Sequence, residues 1–199
     1  AEETKLILPL GEFILKSVCN FIKKLQNMNL AQGAIVAVNI SSIQIKNCDI
    51  FDLILNSLKN SNLDAKYLEV ELTESYIMEN TEQSLLTLNK LKDLGIKLAI
   101  DDFGTGYSSL SYLKKFPIDK LKIDKSFVNE LPNNPKDVAI ARTIIALGKG
   151  LEMKTIAEGV ELQKQKDFLE QEECDEIQGW LYGKALREND FIEFAKNFK

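Results

Sequence analysis

Ile96-Lys97-Leu98-Ala99-Ile100-Asp101-Asp102 is the stretch on which the fold turns: a run of strand-forming residues that closes on two carboxylates. A helix predicted from about Glu79 to Leu94 precedes it and stops at Gly95, a residue suited to a helix C-cap. The same unit recurs along the chain. Upstream, Ala34-Ile35-Val36-Ala37-Val38-Asn39 and Tyr67-Leu68-Glu69-Val70-Glu71-Leu72 predict strands. Downstream, Ile118 to Ile123, Lys154-Thr155-Ile156-Ala157 and Cys174 to Ile177 predict three more. Helical spacing fills the intervals. Leu10, Phe13, Ile14, Ser17, Val18, Phe21, Ile22 and Leu25 place a helix over 9–29, and Ile50, Leu53, Ile54 and Leu58 place another. Further helices follow Pro135, run from Gln163 to Glu170, and start near Asn189.

This alternation, with short connections and no dividing linker, predicts one domain over residues 1–199 with a mostly parallel sheet and helical crossovers. Several strands are apolar on both faces, as expected where helices cover them. A doubly wound open sheet and a (β/α)₈ barrel both fit the pattern. A barrel typically takes ~250 residues, and each of its helices follows a strand. This chain has 199 residues and opens on a helix, so the expectation is a barrel lacking at least one strand before Ala1.

Composition excludes several functions. There is no His, and Cys19, Cys48 and Cys174 are far apart, so a zinc site of the usual Cys/His kind and a histidine base are both ruled out. Scattered, reduced thiols suit the cytosol, and the chain shows neither a membrane-spanning run nor a basic leader. A net charge of −5 argues against nonspecific binding to a nucleic-acid backbone, DNA or RNA.

What remains is the chemistry of the strand ends. Asn39 ends the first strand, Glu71 and Glu74 the second, and Asp101 and Asp102 the third. Lys122 and Asp124 end the fourth, Glu158 and Glu161 the fifth, and Gln178 the sixth. Singly, each acid reads as a helix cap or a solvated loop residue in roughly two cases of three. Together they would converge on the rim where barrels build active sites. Strand parity places Lys122 and Asp124 on one face and Leu121 and Ile123 on the other, so Lys122 is expected to point inward. Clustered carboxylates suit Mg²⁺ or Mn²⁺, and two such ions are a standard device for phosphodiester hydrolysis.

Val38-Asn39-Ile40-Ser41, Glu71-Leu72-Thr73-Glu74-Ser75, Asp101 to Leu110 (DDFGTGYSSL), Lys122-Ile123-Asp124-Lys125-Ser126-Phe127-Val128, Ala157-Glu158-Gly159-Val160-Glu161 and Gln178-Gly179, with Ala1-Glu2-Glu3-Thr4 ahead of them, resemble the EAL family. The resemblance implies a TIM-like (β/α) barrel with one antiparallel strand, incomplete here at its N-terminus. It implies hydrolysis of cyclic di-GMP to linear pGpG with two ions, Mg²⁺ or Mn²⁺. Asn39, Glu71 and Asp101 would hold one metal, and Asp101 and Asp102 would serve the second. Lys122 and Glu158 would be catalytic or water-positioning groups, with Asp124, Glu161 and Gln178 in support. Thr73 and Glu74 would brace the loop after Asp102, which the family links to homodimer formation. A cytoplasmic setting, a GGDEF or sensor domain upstream and a membrane-anchored parent are compatible with it.

The resemblance also has departures. The family's Glu-Ala-Leu strand would stand before Ala1, so residues 1–199 by themselves are expected to be inactive or nearly so. Trp180 stands where the family usually has Tyr, Ala185 where it has Pro, and Glu173 where Gly is common. The alternative is a degenerate EAL domain that acts as a cyclic di-GMP receptor or an interaction module. The intact set of visible ligands favours the enzyme.

Overall fold

The computed structural model describes residue 4 and residues 6–30, 32–79, 81–106 and 110–197. Ala1 to Glu3 and Tyr107 to Ser109, quoted above, lie outside the described residues. The elements run α1 (Ile7–Asn27), β1 (Val36–Asn39), α2 (Ser42–Asn47), α3 (Ile50–Ser61), β2 (Leu68–Thr73), α4 (Glu74–Glu79), α5 (Thr81–Asp93), β3 (Lys97–Phe103) and α6 (Leu110–Leu113). Then come β4 (Lys120–Ile123), α7 (Pro135–Gly150), β5 (Lys154–Ala157), α8 (Gln163–Gln171), β6 (Glu176–Ile177) and α9 (Glu188–Asn197). The strands follow the order β1-β2-β3-β4-β5-β6 in one sheet. The registered pairings β1–β2, β3–β4, β4–β5 and β5–β6 are all parallel.

Contacts divide the chain into two compact units, each with its own core. The first comprises Ala1–Glu71, Asn89–Lys97 and Ala185–Lys199. Here α1 buries Leu15, Cys19, Ile22 and Leu25, a stripe at helical spacing, and packs on α3, which buries Ile50, Ile54 and Leu58. Phe21 meets Phe191 of α9 edge to face at 5.7 Å. Asn39 to Ser42, which sequence alone reads as a turn, leads straight into α2. Ser41 and Gln44 form a capping box: the Ser41 hydroxyl accepts the Gln44 N–H, and the Gln44 amide oxygen accepts the Ser41 N–H at 3.0 Å. At the end of this unit's parallel pair, Asn39 of β1 stands opposite Glu71 of β2, and the Ile40 N–H donates to the Glu71 carbonyl.

The second unit comprises Leu72–Leu88 and Leu98–Lys184. Leu98, Ile100, Leu121, Ile123 and Ala157 are buried on its strands, and α7 covers β4 and β5 with Ala141, Ile144 and Ile145. The amino ends of these strands are tied by carboxylates. Asp119 Oδ2 accepts the Leu98 N–H at 2.9 Å. Asp175 Oδ2 accepts the Thr155 N–H at 2.8 Å and the Thr155 hydroxyl at 3.1 Å. Glu173, at the end of α8, adopts φ +60°, which gives a physical reason for Gly being common at that position. No helix among the described residues is long and apolar enough to cross a membrane.

Candidate metal centre at the carboxyl ends of β3, β4 and β5

β3 carries the two carboxylates into place by an irregularity. Ile100 is in register with Leu121, and Phe103 with Ile123, so Asp101 and Asp102 together oppose the single residue Lys122. Regular alternation would send neighbouring side chains to opposite faces; an extra residue in one strand breaks it and re-aims a side chain. Asp102 takes φ +53°, a left-handed conformation that Asp tolerates better than most residues. As a result the carboxylates of Asp101, Asp102 and Glu158 each bring an oxygen within 4.8 Å of the other two.

Lys122 binds this cluster from β4. Its side chain is 3% exposed, and its Nζ lies 2.9 Å from Asp101 Oδ1 and 2.6 Å from Glu158 Oε1. The inward orientation expected from parity is what the structure has. A buried ammonium is costly unless paired, and here two carboxylates from flanking strands pair it. Glu158 follows β5, where its N–H donates to the Ile123 carbonyl at 3.2 Å.

Asp124, just past β4, adds a fourth carboxylate. Its Oδ1 accepts the Ser126 N–H at 2.9 Å and caps the 3₁₀ turn Lys125–Phe127. Burial, then the charge of Asp101 and a hydrogen bond with Asp124, push the Asp102 carboxyl above its ordinary range. Burial pushes Asp124 upward too, but hydrogen bonds from Ser126 and Asp102 outweigh it and hold this carboxyl low. The two carboxyls are thus pushed in opposite directions, as expected where acids crowd together. Such an oxygen-only, electron-rich set fits a hard divalent ion, which would supply the missing positive charge.

The other predicted residues fall around this centre or apart from it. Glu74 is buried, and its Oε2 accepts the N–H of Gly104, two residues past Asp102, at 3.0 Å. Thr73 is the exposed last residue of β2. Glu161 is exposed, and its N–H donates to Gln165 Oε1 at 2.9 Å. Gln178 is also exposed, and its backbone bonds to Ala157 and Val160. Asn39 and Glu71 stand side by side in the first unit, as described above. The bulge at Asp102 and the capping role of Asp124 were not foreseen. The adjacent acids and the Asp124-x-Ser126 spacing are the local signals for them.

An alternating α/β chain with a carboxylate rim around the buried Lys122 is a scaffold suited to divalent ions. More specifically, the chain belongs to the EAL domain family, whose profile matches residues 1–185. It is 41% identical over 186 residues to the bifunctional diguanylate cyclase/cyclic di-GMP phosphodiesterase MucR of Pseudomonas aeruginosa, covering 94% of this chain and 27% of MucR. A solved complex of the MucR phosphodiesterase with cyclic di-GMP superposes with a TM-score of 0.93 at 39% identity, over 96% of this chain and 77% of that one. A manganese and cyclic di-GMP complex of Klebsiella pneumoniae BlrP1 superposes at 0.74 with 28% identity, over 83% of this chain and 42% of that one. The fold is therefore the TIM-like (β/α) fold of these domains. The chain spans about a quarter of the length of the curated relatives it matches.

Proposed function

We propose that this domain hydrolyses cyclic di-GMP to linear pGpG with two divalent ions, Mg²⁺ or Mn²⁺, in cytoplasmic second-messenger signalling. The observation that carries the proposal is the Lys122 ammonium shared by Asp101 and Glu158, with Asp102 brought beside them by the bulge.

Asp101, Asp102 and Glu158 would hold the ions in the second unit; the family resemblance adds Asn39 and Glu71 as ligands. When bound, the ions supply Lewis acidity and neutralise the phosphodiester. The chain's own groups do the rest. Lys122 carries three N–H donors, and two go to Asp101 and Glu158. Its positive charge would act on the attacking water or on charge developing on a phosphate oxygen. Glu158 has a second carboxylate oxygen with which to take a proton from that water. Asp124 fixes Asp102 through their shared hydrogen bond. Glu74 and Thr73 would hold the loop after Asp102, and Glu161 and Gln178 would support the rim. A homodimer through that loop and an upstream GGDEF or sensor domain belong to the same proposal.

The test is incubation of the full-length protein with cyclic di-GMP and Mn²⁺, read by mass spectrometry. Gain of one water, abolished by a chelator and restored by Mg²⁺ or Mn²⁺, is the expected result. Binding of cyclic di-GMP with its complete recovery intact would make the protein a receptor instead.

A further inference from the structure

The turn after Asp124 touches both loops that carry the outer carboxylates. Gly104, two residues past Asp102, has φ +99°, and a Cβ placed on it would lie 3.1 Å from Phe127 Cε2 and 3.3 Å from Ile144 Cδ1. Gly159, directly after Glu158, has φ +69°, and a Cβ there would lie 2.7 Å from the Cβ of Lys125. Both loops therefore press closely onto one 3₁₀ turn, Lys125–Phe127, with positive φ and little room for a Cβ at either glycine. The turn is itself pinned: Asp124 caps it, the Phe127 N–H donates to the Asp124 carbonyl at 3.0 Å, and α7 packs against it. On its other side Gly104 is held by Glu74.

Resting on the metal-dependent reading above, we propose that the Lys125–Phe127 turn is the gauge that spaces Asp102 from Glu158. Phe127 is the positioning residue: its ring edge sets Gly104, and through it the bulge that aims Asp102. The Lys125 stem does the same for Glu158 through Gly159. Neither side chain belongs to the carboxylate cluster itself. A ligand set displaced by about 1 Å loses much of its metal affinity, because geometry and not ligand identity has changed.

The experiment uses the full-length protein and Mn²⁺ alone, with free Mn²⁺ counted by electron paramagnetic resonance. Wild type is expected to bind Mn²⁺, and Asp101→Asn identifies which binding belongs to this site. Phe127→Ala should weaken that binding at least tenfold, and Phe127→Tyr, which keeps the ring edge, should restore it to within twofold. In hydrolysis, Phe127→Ala should raise the Mn²⁺ concentration for half-maximal kcat while KM for cyclic di-GMP moves less than threefold. Folded Phe127→Ala with wild-type Mn²⁺ affinity would overturn the proposal. Should Phe127→Ala not fold, Phe127→Leu decides on the same criterion, with a threefold loss expected and no loss overturning it. No Mn²⁺ binding by wild type would instead overturn the metal-dependent reading, so the two failures are distinct.

Discussion

The two ends of β4 and β5 carry the same residue types and use them in opposite ways. At the amino ends each carboxylate is matched to a donor. Asp119 takes the Leu98 N–H, Asp175 takes two donors from Thr155, and Glu176 lies 2.7 Å from the buried Lys120. At the carboxyl ends Asp101 and Glu158 share the buried ammonium of Lys122, Asp102 clusters with these two, and Asp124 adjoins Asp102. Matched charges hold a fold together; surplus charge of one sign must be met by something from outside. Lys120 and Lys122 are two residues apart on the same face of one short strand, yet they fall on opposite sides of this divide.

If the contrast is correct, substitutions at the carboxyl end should damage turnover and those at the amino end should damage stability. The largest effect is expected at Asp101. Asp101→Asn removes one charge from a site built on charge and weakens the grip on Lys122. Steady-state hydrolysis of cyclic di-GMP should fall at least about a thousandfold, ~4 kcal/mol of barrier. Activity within threefold of wild type would break the comparison at its centre.

Lys122→Ala comes next. It should lower kcat about a hundredfold and change KM little, because the ammonium acts mainly on charge that appears in the transition state. It also leaves Asp101 and Glu158 facing each other without a cation. Removing one partner of a buried pair costs about 3–5 kcal/mol, and the partial exposure of these carboxylates argues for the lower end. Added Mn²⁺ should recover part of the lost melting temperature. A variant with a raised KM and unchanged kcat would make Lys122 a substrate-binding group.

The sequence made much of this end legible because strand parity is a local property. Lys122 faces away from Leu121 and Ile123 whatever else the chain does, and the glycine after the α5 helix marks where β3 begins. Asp102 was harder. Its side depends on a register shift between β3 and β4, which no single strand encodes. The Lys120–Glu176 pair was invisible for the same reason: it joins residues far apart in sequence through the pairing of three strands. α2 was missed for a different reason. Its capping box is written in Ser41 and Gln44, but Asn39 to Ser42 also satisfies a turn, and the helix is too short for periodicity to decide.

Asp175→Ala carries the test to the amino end. It removes the acceptor of the Thr155 N–H and hydroxyl, at a cost of about 1–2 kcal/mol in urea unfolding. The kcat should stay within twofold, since nothing at the carboxyl rim is touched. A tenfold fall in kcat with unchanged stability would reverse the assignment of the two ends.

The smallest effect, and the most discriminating, concerns Glu176. Burial pushes its carboxyl up, but the hydrogen bond and charge of Lys120 outweigh this, Lys154 adds to them, and the net result lies below the ordinary value of 4.5. A carboxyl lowered in the folded state contributes stability that is present above its unfolded value and is lost as pH falls through the folded one. Wild type should therefore exceed Glu176→Gln in stability at pH 7, with the gap closing below about pH 4.5. The Glu176 side chain is 34% exposed, so the gap at pH 7 should be under about 1 kcal/mol. Urea unfolding of both proteins at pH 7, 5 and 3.5 measures it. The opposite trend, a gap that widens on acidification, would mean that Glu176 is not the matched partner of Lys120. The amino end would then carry unmet charge of its own, and the contrast between the two ends would lose its physical basis.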